Sequence, residues 1–339
     1  MRPLVTRRRL LVAGVIVAAL GGAGAIVATR VENRWRLSSP PRFPGGIGPT
    51  ETWTPPAGSP IPDGGCPAPA RGDTPDARGP TRLAVIGDFG YAGPAEEAVA
   101  DLVKGWRPEL VITVGDNNYP LGAADSIDLN IGLFYHDFIE PYLGRFGCGA
   151  TRNRFFPSLG NHDWMTTGAR PYLDYFSLPG NERYYDVVWG PLHLFALDSD
   201  PSEPDGVTAD SIQARWLRHQ LATSTARWKI VYMHHAPYSS GPHGSTMDLR
   251  WPYKAWGADL VLAGHDHDYE RFVVDGLPYI VNGLGGAVFY PMGTLAAGSL
   301  AHFNETAGAL FIEADSSSLR ARFQAVDGRQ VDALTLEKP

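Results

Sequence analysis

The sequence predicts an α/β fold with mixed β-sheets. Short apolar runs alternate with longer segments of helical period from Thr81 onward. Two strand-like runs meet at a tight turn at Gly190 and Pro191, which puts antiparallel pairs beside the parallel ones. Residues 308–337 alternate polar and apolar, as antiparallel strands do. With 339 residues, 44% hydrophobic and 19% charged, the composition is that of an ordinary globular protein with room for one large domain.

The chain opens on an arginine cluster, Thr6-Arg7-Arg8-Arg9, followed by an uncharged apolar stretch over 10–29. That length just spans a bilayer. The same segment reads as a signal peptide with a small-residue cleavage site at Ala23-Gly24-Ala25. The arginines resemble a twin-arginine export signal. Residues 1–30 are therefore an export signal or a membrane anchor, and the protein is expected to cross the cytoplasmic membrane, then to be secreted or held at it. Residues 31–80 hold proline or glycine at about two positions in five, which predicts a linker or loosely packed arm. Cys66 and Cys148 are in no metal-ligand spacing. They are incidental in a cytosolic protein and a candidate disulfide in an exported one. Residues 1–36 carry seven arginines against one glutamate, so the net charge of −7 leaves −13 on the rest, which argues against a nucleic-acid partner.

From Thr81 the elements follow in order. TRLAVIGDFG is an apolar strand closing in a turn, and PAEEAVADLVKGW a helix. ELVITVGDNNY is a second strand with a polar end. FYHDFIEPYL has helical character, and RFFPSLGNHD is a third short strand. RYYDVVWGPLHLFALDSD is the hairpin, SIQARWLRHQLATS an amphipathic helix and WKIVYMHH a strand. A helix is expected over 249–256, then the strand LVLAGHDHDYER and the strand PYIVNGLGG.

Five apolar runs end alike: Gly87-Asp88; Gly115-Asp116 with Tyr119; Gly160-Asn161-His162-Asp163; His234-His235; and Gly264-His265-Asp266-His267. Ligands gather at the carboxyl ends of strands in open α/β sheets. One Gly-Asp after a strand is usually a turn; five endings rich in imidazole and carboxylate, without thiolate, point to iron, zinc or manganese. His265 and His267, two apart, would share a face on extended backbone and reach two neighbouring ions. Asp266 between them would face away.

The series GDFG, GDNNY, GNHD, VYMH and GHDH resembles the metallophosphoesterases, and within them the purple acid phosphatases, over roughly residues 82–290. The resemblance implies a sandwich of mixed sheets flanked by helices, with residues 81–339 as the catalytic domain. It implies that Asp88, Asp116, Tyr119 and His267 hold a ferric iron, and that Asp116 bridges to a divalent Fe, Zn or Mn also bound by Asn161, His234 and His265. Gly90 stands where many superfamily members carry a ligand histidine, and Tyr119 would replace that ligand. A nearby cation can hold a phenol ionised.

The implied reaction is hydrolysis of phosphomonoesters by attack of a metal-bound hydroxide, as in an acid phosphatase. His162 and His243 are the candidates to protonate the leaving group. Asp163 is expected beside His162, orienting it. A small phosphate ester is the expected partner, and the N-terminal segment, where it is kept as an anchor, would attach the protein to the membrane. A phosphodiesterase or nucleotide phosphatase on the same site, or a non-catalytic envelope protein of the same fold, are the competing readings. Tyr269-Glu270-Arg271 and His235 receive no chemistry; His136, His193, His219 and His302 are expected at the surface or satisfied in the core.

Overall fold

The computed structural model describes residues 79–338 together with Pro55 and Cys66. The expected signal or anchor over 1–30, and the arm over 31–80 apart from those few positions, lie outside the described residues. Among the described residues no helix is long and apolar enough to cross a membrane.

Two mixed sheets form the body. In the first, β1 (Thr81–Ile86), β2 (Leu110–Thr113) and β3 (Phe155–Pro157) run parallel. The C-terminal tail completes it with the antiparallel β11 (Gly308–Ala314), β12 (Ser318–Ala325) and β13 (Gln330–Glu337), giving six strands in the order β13-β12-β11-β1-β2-β3. The second sheet has seven strands. Its hairpin is β4 (Tyr185–Trp189) and β5 (Leu192–Ala196), turning at Gly190 as expected. Beyond it β6 (Trp228–Tyr232), β7 (Leu260–Ala263) and β9 (Leu277–Asn282) run parallel to β5. The antiparallel β8 (Tyr269–Val274) and β10 (Ser299–Phe303) close the edge.

Side chains of period two explain why both faces of the second sheet are apolar. Leu192, Leu194, Ile230, Tyr232, Leu260 and Leu262 join one core with Leu83, Leu110, Leu310 and Ile312 of the first sheet. Their neighbours Phe195, Val231, Val261 and Ala263 enter a second core with Ala214, Leu217 and Leu221 of the helix Ile212–Thr223. Cutting one of these fully buried side chains back to alanine would cost ~2–5 kcal/mol. The outer face of the first sheet is covered from helix α1 (Pro94–Gly105), whose following Trp106 packs on Phe311 with ring centroids 4.9 Å apart. The layers are thus helix, sheet, sheet, helix.

Three expected elements differ. The helix placed over 134–143 begins earlier: helical turns run from Asp128 through α2 (Leu133–Tyr135) to Phe138 and stop at Ile139, which is extended just ahead of Pro141. The helix expected over 249–256 is two short pieces, a 3₁₀ turn Met247–Leu249 and a helical turn Tyr253–Trp256, because Pro252 lacks the amide that would join them. The run from Leu260 to Arg271 is two strands, β7 and β8, separated by the histidine motif.

Candidate metal centre

The carboxyl ends of β1, β2 and β3 from one sheet and of β6 and β7 from the other open into the same place. There the motifs lock one another. Asp88 accepts the backbone N–H of His265 on Oδ2 at 3.0 Å, leaving Oδ1 to the centre. Asp116 accepts the backbone N–H of His162 on Oδ1 at 2.9 Å, leaving Oδ2 to the centre. Three of the converging residues, Asp88, Asp116 and His265, have left-handed backbone, with φ of 54°, 51° and 74°. That corrects the expectation for His265 and His267: they meet the site from a tight turn, not from one face of an extended strand. Gly115 shares that geometry at φ 86°, and a Cβ there would sit 2.5 Å from the His234 ring.

Four donors form a first group. Tyr119 Oη donates to Asp116 Oδ2 at 2.8 Å and lies 3.2 Å from Asp88 Oδ1 and 3.1 Å from His267 Nε2. His267 Nε2 is 3.3 Å from Asp88 Oδ1. Ligand atoms of Asp88, Asp116 and His267 all lie within 4.8 Å of one another, a spacing that suits one ion. Four donors form a second group. His234 Nε2 lies 2.9 Å from Asn161 Oδ1, 3.1 Å from His265 Nδ1 and 3.4 Å from Asp116 Oδ2. Asp116 Oδ2 belongs to both.

The donor chemistry fits cations. His234 Nδ1 donates to Val114 O at 2.9 Å and His267 Nδ1 to Val288 O, so in each neutral ring the Nε2 lone pair faces carboxylate oxygen. Neutral rings there would set acceptors against acceptors, so the cluster calls for positive charge, on the imidazoles themselves or between the groups. Burial opposes a charged His234, yet Asp116 and Asp88 outweigh it and push it up to about 10. Burial likewise opposes an ionised Asp116, and His234 outweighs that, holding it well below the usual carboxylate range. Burial, then the charges of Asp116 and Asp88, push the Tyr119 phenol well up; a cation beside it reverses that sign. Gly90 cannot carry a ligand: a Cβ there would lie 1.8 Å from Asn117 O, so Tyr119 reaches space that no residue at 90 can enter.

The two acid candidates border this centre. His162 Nδ1 bonds Pro120 O at 2.6 Å, its ring lies 4.4 Å from that of Tyr119, and Nε2 is 3.9 Å from Asp116 Oδ2. Asp163 does not serve it as expected: its Oδ2 accepts Gly160 N and Asn117 Nδ2, each at 2.8 Å. The His243 ring stacks on His265 with centroids 4.2 Å apart. Burial lowers its pKa. His235 bonds Ser199 Oγ at 3.0 Å, and burial with the neighbouring His234 lowers it to about 3. His136 bonds Gly132 O, and His193 joins Asp186 to Ser224, all at 2.8 Å, the structural roles expected for both.

Two neighbours escaped the sequence reading. Tyr290 stacks on His267, centroids 4.1 Å apart and planes at 9°, from a loop with no motif to mark it. Asp268 is fully buried with neither carboxylate oxygen bonded among the described residues; burial and the charges of Asp266, Glu270 and Asp88 raise it to about 8.

Residues 81–269 match the family model of the calcineurin-like phosphoesterases. The chain is 26% identical over 239 residues to purple acid phosphatase 17 of Arabidopsis thaliana, covering 59% of this chain and 67% of that protein. It spans 57% and 45% of two further purple acid phosphatases from the same plant. Among solved structures, a purple acid phosphatase from yellow lupin (Lupinus luteus) seeds aligns with TM-score 0.63 at 19% identity, over 76% of this chain and 53% of that one. GAP50, the anchor in the inner membrane complex of Plasmodium, aligns with TM-score 0.61 at 18% identity, over 77% and 90%. These structures show the shared fold, and the family match spans more than half of the chain: it belongs to the calcineurin-like phosphoesterase family.

Proposed function

We propose that the domain hydrolyses phosphomonoesters at a two-cation centre, with ferric iron held by Asp88, Asp116, Tyr119 and His267 and a divalent Fe, Zn or Mn by Asp116, Asn161, His234 and His265. The single observation that carries the reading is Asp116 Oδ2, common to two four-donor groups. A bound pair of cations supplies charge neutralisation for a phosphate dianion and lowers the pKa of water. The chain supplies the rest. Asn161, a neutral amide, completes the second group without adding charge. Pro120 O fixes His162 with its proton on Nδ1, so Nε2 takes up or gives the transferable proton at the rim. His243, stacked on His265, offers a second proton donor on another side. The likeness to purple acid phosphatases supports monoesters over diesters.

The purified domain is expected to cleave nitrophenyl phosphate at least ~10-fold faster than the bis(nitrophenyl) diester, and Asp116→Asn to lose ~100-fold or more of that rate as both groups lose their shared oxygen. Elemental analysis should find two metals per chain in the parent and fewer in the variant. Equal rates on both esters would replace the monoesterase reading with a phosphodiesterase.

The same reading places the protein outside the cytoplasm, secreted or membrane-anchored. The Arg7-Arg8-Arg9 leader supports it, as does the disulfide Cys66–Cys148, since such bonds persist in oxidising compartments. Replacing Arg7 and Arg8 by lysine is expected to retain the protein in the cytoplasm by fractionation; unaltered export would remove the twin-arginine assignment.

A further inference from the structure

In the motif Gly264-His265-Asp266-His267-Asp268-Tyr269-Glu270, the histidines face the centre while two carboxylates face a loop. Asp266 and Glu270 are both fully buried. Asp266 accepts the backbone N–H of His243 at 2.8 Å and of Gly244 at 3.1 Å, and the hydroxyl of Ser239. Glu270 accepts the backbone N–H and the hydroxyl of Ser240, each at 2.7 Å. Ser240 Oγ in turn accepts Ala296 N at 2.7 Å, and Ser240 O accepts Gly293 N at 3.2 Å, so the loop beyond Tyr290 is tied in as well. The result is a roof of two loops, with the His243 ring over His265 and the Tyr290 ring over His267.

We infer that Asp266 and Glu270 are positioning residues: as paired acceptors they hold the loop over 239–244 so that His243 stays stacked on His265, where it protonates the departing alkoxide. Every partner of the two carboxylates in that loop is a donor, so an ionised acceptor at each position satisfies them all, and charge-assisted bonds of this kind are stronger than neutral ones. A loop rich in glycine and serine, SSGPHGS, has little apolar surface to order it by burial, so these bonds set the place of the imidazole. Proton transfer demands that placement, because a donor must sit within hydrogen-bond reach of the leaving oxygen. The step balances: an oxygen from water, attacking as hydroxide, bonds to phosphorus as the P–O ester bond breaks, the leaving oxygen takes the imidazolium proton and departs as the alcohol, and a solvent proton returns to the imidazole. The proposal rests on the monoesterase reading of the site.

The test uses the full metal-loaded chain with Asp266→Asn and Glu270→Gln, each of which turns one acceptor oxygen into a donor facing donors. Hydrogen–deuterium exchange of the amides over 239–244, read with and without metal, is expected to quicken ~10-fold or more in Asp266→Asn while metal content stays at the parent value, as loss of a buried charged acceptor frees the segment. On glycerol phosphate, a poor leaving group, kcat is expected to fall ~10–100-fold, against under ~3-fold on nitrophenyl phosphate, whose leaving group needs no proton. Adding His243→Ala to Asp266→Asn should cost little more on glycerol phosphate, since both act through one proton. Glu270→Gln, further from the ligands, should show the same signature at smaller size. Unchanged loop exchange in both variants overturns the proposal, as does an equal loss on both esters, or metal loss from Asp266→Asn with the loop still protected. If the parent cleaves no ester, the functional reading fails, while the exchange data still decide whether these carboxylates hold the loop.

Discussion

In the proposed centre, Tyr119 is the residue on which the identity of the first cation turns. Its hydroxyl touches three of the other donors, and without a cation it is a neutral phenol bonded to Asp116. As a ligand in the proposed centre it would give up its proton on loading, a proton that a phenylalanine could not supply. The Tyr119→Phe protein is expected to release about one proton fewer per chain on loading with ferric iron, to lack the visible band of an iron phenolate, and to hold that ion ~10-fold or more weakly. Pipetting ferric iron into weakly buffered protein and following pH and absorbance checks all three. Equal proton release by the two proteins would leave Tyr119 out of the ligand set. Gly90 adds to the case, because the backbone carbonyl of Asn117 closes off the one alternative ligand position that the sequence had singled out.

At the scale of elements, the run after the histidines shows what sequence reading could and could not reach. Tyr269, Glu270 and Arg271 lie on β8, and alternation sends them two ways. Glu270 turns to the serine loop, whereas Tyr269 and Arg271 turn to the other sheet. Tyr269 Oη donates to Asp332 Oδ2 at 2.7 Å, Arg271 pairs with the same carboxylate, and the Tyr269 ring stacks on Phe323 of β12 at 4.2 Å. Asp332 on β13 is thus a bolt between the sheets. Burial opposes its charge, but the Arg271 guanidinium and the Tyr269 hydroxyl outweigh it, so its carboxyl titrates below the ordinary range. A carboxylate depressed in the folded state lends stability above its unfolded pKa and withdraws it as pH falls through the folded one. Asp332→Asn should therefore cost ~1–3 kcal/mol near neutrality, and the two proteins should converge in denaturant melts once pH drops below the folded value. A constant difference at every pH would mean that packing, not charge, makes the joint. The partners of the bolt lie some sixty residues apart, which is why the motif was visible in the sequence and its purpose was not. The strand endings were legible because all five carry a polar tip and four of them a glycine before it. The short helices were not, since Pro141 and Pro252 break helical patterns that periodicity alone would continue.

For the whole molecule, the centre exists only because two sheets present parallel strand ends to one place. Asp88, Asp116 and Asn161 follow strands of the first sheet, and His234, His265 and His267 follow strands of the second. The five polar strand endings already pointed to one shared site and the family likeness assigned their roles, whereas strand alternation by itself leaves the pairing of the sheets open. The disulfide adds a further long-range tie, joining Cys66 to Cys148 across 82 positions. Cys148 follows the helical turns that end at Phe138, so Cys66 is joined to an irregular stretch and not to a strand end near the centre.

The left-handed backbone at Asp88, Asp116 and His265 has a price in endurance. Conformations of that kind cost ~1–3 kcal/mol apiece for residues with a side chain. A descendant relieved of its chemistry would gain by placing glycine or asparagine at those three points, so decay of activity and a higher melting temperature should appear together in its lineage.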